Sequence, residues 1–539
     1  MADPAIPCRR ALGCENNRDA VLFTGTGSTG AIGKMLDLLR GTPDWQASFA
    51  AGTPPLVVIG PYEHHSNILP WRESGCQVVM VQEAEAGGVD MGHLEQVLRE
   101  HAETPVKIGS FSAASNLTGI LCDTVALSVA LHRHKALAFF DYATAGPYAS
   151  IDMNPVVTAT SAEAALGYKD AVFLSPHKFV GGVSTPGVLA FKKHILDNTV
   201  AFGLGAPPAL PGGGSVFFVT EQDHRYLGNL EEREEAGTPD IVGSIRCGLA
   251  MRVKESVGVA AIAERERHYC RLAFETWGRH PAIHILGNME AERLPVLAFN
   301  IRHGARYLHH NYVAALLNDL FGLQVRAGCS CAGPYAQRLL GIDLGLAKEY
   351  EAALLQGDEV LRPGLVRLNL NYFLPQEVVE FVLRAVAFVA EFGWKLLPLY
   401  TFIPATGEWR HRCDRRFVPR PADLPLCHVC GHPGPCDACV RSLYLRPCDG
   451  KRRVTAMASG MHVCMHAHVC MHACIQACAY THGWMYSSVT AGWRCAIAAG
   501  SAMCRFLVRG SRGRQGAGTR VPSGSGGRIA WLWIRSVGS

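Results

Sequence analysis

The chain has 539 residues, of which 48% are hydrophobic and 18% charged, a balance that excludes a wholly disordered or coiled-coil protein and makes room for three to four domains of roughly 150 residues. No apolar run reaches the ~18 residues that span a bilayer, and residues 1–14 lack the apolar stretch of a signal peptide, so neither a membrane partner nor secretion is expected. The net charge of +5 is uneven, because residues 449–539 hold eleven Lys and Arg against one acid and leave −5 on the remainder, which argues against nucleic acid as a partner.

Cysteine is uneven too. Of 20, six follow residue 449 and five lie within 427–448. The other nine are scattered, as in a reducing cytoplasmic or organellar compartment without a disulfide framework.

In chain order, residues 1–18 form a short lead. A large domain is expected over 19–280. Strand-like runs recur in it at 21–24, 56–59, 78–81, 106–111, 138–141, 171–175 and 188–191. Several are apolar on both faces, as buried strands are, and helix-like stretches at 91–100 and 124–134 lie between them. The alternation predicts an α/β layer with a mostly parallel sheet. A long helix is expected over 259–277. A smaller α+β domain follows over 281–400, with strands at 296–301 and 367–370 around a helix at 312–320. Residues 401–448 read as a Cys-rich extension. There Cys427, Cys430, Cys436 and Cys439 make two CxxC pairs. Only five residues separate the pairs, against twelve or more in common zinc ribbons, so no metal is assigned. Residues 449–539 open on a Met/His/Val/Ala/Cys repeat and end rich in Gly, Ser and Arg, which reads as unselected or unstructured sequence.

Three motifs carry chemistry. Gly25, Gly27 and Gly30 follow a strand and open a helix, so their amides, with the Ser28 and Thr29 hydroxyls, would cradle an anion. The acidic residue that a dinucleotide site needs at the tip of the second strand is missing from Val57-Val58-Ile59-Gly60. Lys178, in Ser175-Pro176-His177-Lys178, ends a buried strand where desolvation would lower its pKa, as an amine nucleophile requires. Asp141 ends another apolar strand, and a buried carboxylate needs a cationic partner. A protonated pyridine nitrogen would serve.

With these motifs in this order, the chain resembles the class V aminotransferase family of pyridoxal-phosphate-dependent proteins, on its cysteine desulfurase and selenocysteine lyase branch. The resemblance covers roughly residues 19–373. It implies fold type I, with a seven-stranded sheet in the large domain, a homodimer with a shared active site, a small amino-acid substrate and a possible sulfur-acceptor protein. Residue by residue, it implies that Ser28, Thr29 and Ser175 bind the cofactor phosphate with Thr238 of the other subunit. His64 would stack on the ring and assist proton transfer, Asn116 would contact the pyridoxal hydroxyl side, and Asp141 would hold the ring nitrogen. Lys178 would be the Schiff-base lysine beside His177. In Arg326-Ala327-Gly328-Cys329-Ser330-Cys331, Cys331 matches the cysteine that takes sulfur from the substrate. Arg367 matches the arginine that grips the substrate carboxylate, and Arg326 belongs to the same pocket. Two departures stand out. Thr144 occupies the place of a family Gln, and the lead before Val21 is shorter than in relatives, which points to an N-terminal truncation. Another class V activity, such as an aminotransferase or kynureninase-like hydrolase, or a non-catalytic scaffold, are the alternatives.

Overall fold

The structure is a computed structural model that describes residues 5–156, 163, 165–196 and 207–413. The two CxxC pairs and the repeat tail lie outside the described residues.

The expected seven strands are present as β1 (Asp19–Thr24), β2 (Leu56–Ile59), β3 (Gln77–Met80), β4 (Lys107–Ser112), β5 (Leu137–Asp141), β6 (Ala171–Leu174) and β7 (Gly187–Lys192). They make one sheet in the order β1-β7-β6-β5-β4-β2-β3. Only β7 runs against its neighbours, pairing antiparallel with both β1 and β6. The two-faced apolar runs have their cause in packing on both sides. Leu22, Val57, Ile59, Phe139, Phe173 and Leu189 face one core, whereas Val21, Val58, Phe140, Val172 and Val188 face the other. Strand β1 lies at the edge, and two carboxylates take its outward amides. Val21 N–H donates to Glu231 at 2.8 Å and Phe23 N–H to Glu235 at 2.5 Å. That blocks pairing with another chain and pins the loop after Glu235 to the sheet.

The helix Val259–Trp277 has the expected bounds and joins the two domains, with Ile262 in the large-domain core and Tyr269, Ala273 and Trp277 in the small one. The small domain is an antiparallel sheet in the order Ile283–Ile285, Val296–His303, Leu365–Asn369, Arg326–Gly328. Helix Gln376–Phe392 seals it through Val379, Val382, Leu383, Val386 and Val389, spaced three and four apart on one face. A hairpin of Tyr400–Ile403 and Glu408–His411 adds Phe402 and Trp409 to the same core. It runs across residues 400 and 401, where the Cys-rich extension was expected to begin. Among the described residues, no helix is long and apolar enough to cross a membrane.

Because six strands run one way, their C-terminal ends meet on one edge of the sheet. Thr24, Ser112, Asp141 and Ser175 stand there, with the segment after β2 that begins at Glu63. In open α/β sheets that edge is where ligands bind.

Candidate active site

A cleft of about 730 Å³ opens on this edge, a volume suited to a cofactor-sized molecule. Nine of the residues expected at the site line it, namely Ser28, Thr29, His64, Asn116, Asp141, Thr144, Ser175, His177 and Lys178. Its floor is the N-terminus of helix Gly27–Arg40. Thr26, the residue before that helix, contributes no side-chain cap, and the hydroxyl of Ser175, from the end of β6, takes the Ser28 amide in its place. Gly27 takes φ +56°, and a Cβ there would come within 2.7 Å of His177 and 2.8 Å of Ser175 Oγ. Ser175 Oγ accepts from Ser28 N–H at 2.9 Å, and Thr29 Oγ1 lies 2.7 Å from Ser66 Oγ. Three buried polar atoms on the cleft lining, Thr24 Oγ1, Thr185 Oγ1 and Asn116 Oδ1, have no hydrogen-bond partner within the protein. The donor set fits a phosphate, and the unsatisfied atoms fit a polar molecule above it.

Lys178 stands at the end of a one-turn helix, Pro176–Lys178, directly after β6. Enclosure in the cleft lowers its pKa to about 8, against the opposing pull of Asp141. Arg367 and Arg326 lower it further. Asp141 is buried, which raises its pKa despite the Ala143 N–H that it accepts at 2.8 Å and the nearby Lys178. A carboxyl held this way gains most from a ligand that brings positive charge. For His64, burial first and Lys178 second lower the pKa to about 4, so the ring is neutral. Its Nδ1 accepts from Ser66 N–H at 3.1 Å, which puts the ring proton on Nε2.

The other four expected residues stand around the cleft rather than on its lining. Arg326 and Arg367 face each other across an antiparallel strand pair, a like-charge arrangement that costs stability unless an anion sits between. Burial first and Arg326 second lower the pKa of Arg367 to about 10. Arg367 Nη1 donates to Asn116 O at 2.7 Å. Arg326 Nη2 lies 3.6 Å from Cys331 Sγ, and the Cys331 side chain is close enough to act electrostatically on both Lys178 and Arg367. Thr238 is exposed. Its neighbours Pro239 and Asp240 line the cleft, but Thr238 does not.

Sequence reasoning missed several residues. Glu63 is buried and accepts from Asn67 Nδ2 at 2.6 Å, Ser112 N–H at 2.8 Å and Ser112 Oγ at 2.7 Å. Burial outweighs those donors and pushes its pKa up to about 7. A Glu four residues before an Asn in a short turn is the one local sign. Thr24 and Thr185 carried no sign at all. Nor did His65, whose Nε2 accepts from Gly333 N–H at 2.9 Å.

Residues 17–369 match the Aminotransferase class-V family. Among curated relatives, a probable cysteine desulfurase of Halalkalibacterium halodurans is 29% identical over 282 residues, which is 52% of this chain and 62% of that protein. A probable cysteine desulfurase of Staphylococcus aureus is 27% identical over the same length, 52% of this chain and 61% of its own. The chain therefore spans about three-fifths of these relatives. In fold, it is similar to the apo cysteine desulfurase of Thermococcus onnurineus, with a TM-score of 0.55 and 21% identity, over 72% of this chain and 83% of that one. It is equally similar to the cysteine desulfurase CsdA of Escherichia coli, with a TM-score of 0.55 and 19% identity over the same shares. With the match covering most of the described residues, the chain belongs to the class V aminotransferase family.

Proposed function

We propose that the protein is a pyridoxal-phosphate-dependent enzyme that removes sulfur from cysteine, or selenium from selenocysteine, and releases alanine. The observation that carries this reading is the enclosure of Lys178 and Asp141, near enough to act on each other electrostatically, in one cleft floored by a helix N-terminus. The N-terminal end of that helix, with Ser28, Thr29 and Ser175, would hold the phosphate. His64 would cover the ring, Asn116 and Thr144 would meet its hydroxyl side, Asp141 its nitrogen, and Lys178 its aldehyde carbon. When bound, the cofactor supplies a ring that stabilises negative charge at the substrate α-carbon.

The chain's own residues do the rest. Arg367, with Arg326 beside it, binds the substrate carboxylate through its guanidinium fork. Lys178, with its pKa lowered to about 8, has a neutral fraction at physiological pH that can take the α-proton. The Cys331 sulfur attacks the substrate sulfur. An S–S bond forms as the substrate C–S bond breaks, the sulfur stays on Cys331 as a persulfide, and the carbon fragment is protonated and leaves as alanine. A sulfur-acceptor protein would then take it up.

A homodimer fits the surface. Ile241, Ile245, Leu249, Val253 and Val257 are exposed and four residues apart along helix Ile241–Val257. Such an apolar stripe is suited to a second copy. It continues into the loop of Thr238, which would then reach the phosphate of the partner subunit.

The test is chemical trapping. Protein loaded with pyridoxal phosphate, reduced with borohydride and digested, should carry a pyridoxyl mass on the Lys178 peptide; absence of that adduct refutes the reading. Cys331→Ala should keep the adduct and lose sulfide release from cysteine. Undiminished release would refute the persulfide role alone.

A further inference from the structure

The turn that bears Cys331 is strained and tied from outside. Ala332 N–H donates to Cys329 O at 3.2 Å, and the two residues between, Ser330 and Cys331, take φ +49° and +57°. Both lie in the left-handed region, which costs an L-residue roughly 1–2 kcal/mol each. Such a turn persists only when its surroundings fix it.

His65 fixes it twice. Its backbone N–H donates to Cys331 O at 2.8 Å, and its Nε2 accepts from Gly333 N–H at 2.9 Å. Gly333 opens helix Gly333–Leu339, and Ala332 before it offers no side-chain cap. An imidazole from 268 residues away therefore supplies the acceptor that this helix end lacks. Glycine permits the approach, because a Cβ on Gly333 would stand 3.1 Å from Nε2. Asn116 Nδ2 adds a third tie, donating to Ser330 O at 2.8 Å. His65 also opens the short turn His65–Asn67, of which His64 is the N-cap. One turn thus carries the ring that lines the cleft and the ring that grips the thiol loop. Burial lowers the His65 pKa, which favours the neutral ring that an acceptor needs.

We propose that His65 is a positioning residue for Cys331, holding the left-handed turn so that the thiol stays beside Arg326 at the cleft. The proposal rests on the reading of Cys331 as the sulfur acceptor, but its test does not depend on turnover. In protein loaded with pyridoxal phosphate, iodoacetamide labelling of Cys331 is compared by mass spectrometry with labelling of Cys329 in the same turn. His65→Ala should lower the Cys331 to Cys329 ratio about tenfold, since small misplacements of a reacting group carry penalties of this order or larger. Absorbance of the bound cofactor should be unchanged. His65→Gln, whose side-chain oxygen can take the place of Nε2, should restore the ratio. In turnover, kcat should fall while KM holds. Should His65→Ala fail to fold, Gly333→Ala pushes the ring away and should shift the ratio in the same direction by less. An unchanged or raised ratio, or a Gln variant no better than Ala, overturns the proposal. If Cys331→Ala keeps full activity while the labelling ratio still responds to residue 65, the acceptor reading fails and the clamp stands.

Discussion

At Gly27 the backbone turns through φ +56°, and at Ser330 and Cys331 it turns through +49° and +57°. The glycine turn that cradles the floor of the cleft and the cysteine turn thus use the same region of backbone space, but only the cradle gives it to glycine. The difference follows from what each presents. In the cradle the backbone itself passes close to its neighbours, and any side chain at Gly27 would collide with Ser175 and His177. In the turn the side chain itself is presented, so glycine would remove the chemistry and the strain is carried instead. The two are also held differently. The cradle rests on strands whose residues are buried on both faces, whereas the turn hangs on bonds from His65 and Asn116, more than 200 residues away in sequence. The large domain supplies the lining of the cleft, and the small domain brings the Cys331 turn up beside it.

Lys178→Ala breaks the comparison most severely, because it empties the rigid half of its reactive group while leaving the turn alone. Loss of a base in proton transfer lowers rates by about 10²–10⁴-fold, so sulfide release should fall at least that far. Iodoacetamide labelling of Cys331 should fall far less than activity does, by no more than the loss of the nearby Lys178 charge accounts for. Labelling that collapses with activity would mean that the halves are not separable.

Glu63→Gln tests the seam between them, since Glu63 anchors the segment that carries both His64 and His65. A Gln amide cannot accept from all three donors that the carboxyl now satisfies, and the lost acceptor should lower unfolding free energy by about 1–3 kcal/mol in urea melts. The pH dependence has a definite sign. Burial raises the folded pKa from 4.5 to about 7, so the contribution to stability is complete below about 4.5 and is lost as pH rises through about 7. The gap between native protein and variant should therefore narrow from pH 5 to pH 8. A constant gap would mean that the carboxyl is ionised throughout.

The same contrast decides what could be read from sequence. The seven strands were legible because each is a short apolar run flanked by turn residues, and the helix Val259–Trp277 because its apolar face repeats with helical period. Lys178 and Asp141 were legible because each ends such a strand, so its place on the sheet edge followed from topology. The antiparallel sense of β7 was not, since two-sided burial looks alike in either direction. The strands Ile283–Ile285 and Arg326–Gly328 are three residues long and offer no period. The hairpin at 400–411 carries no local sign of its place in the small domain, because its partners, such as Tyr312, are remote. His65, Thr24 and Thr185 act through contacts with distant segments or through burial, and neither leaves a mark in a single chain of letters; Glu63 leaves only its spacing to Asn67.

Ser330→Gly gives the smallest expected effect and the sharpest reading of the difference between cradle and turn. Relief of the left-handed backbone is worth roughly 1–2 kcal/mol, against about 0.5–1 kcal/mol for the greater freedom of glycine in the unfolded chain. The Ser330 hydroxyl is buried without a hydrogen-bond partner, so its removal costs no bond. The carbonyl that Asn116 grips remains. The variant should therefore be more stable by about 1 kcal/mol or less in urea melts, with Cys331 still labelled at the native rate. If it is instead destabilised, the strain at residue 330 is not carried by the fold, and the turn differs from the cradle in sequence only.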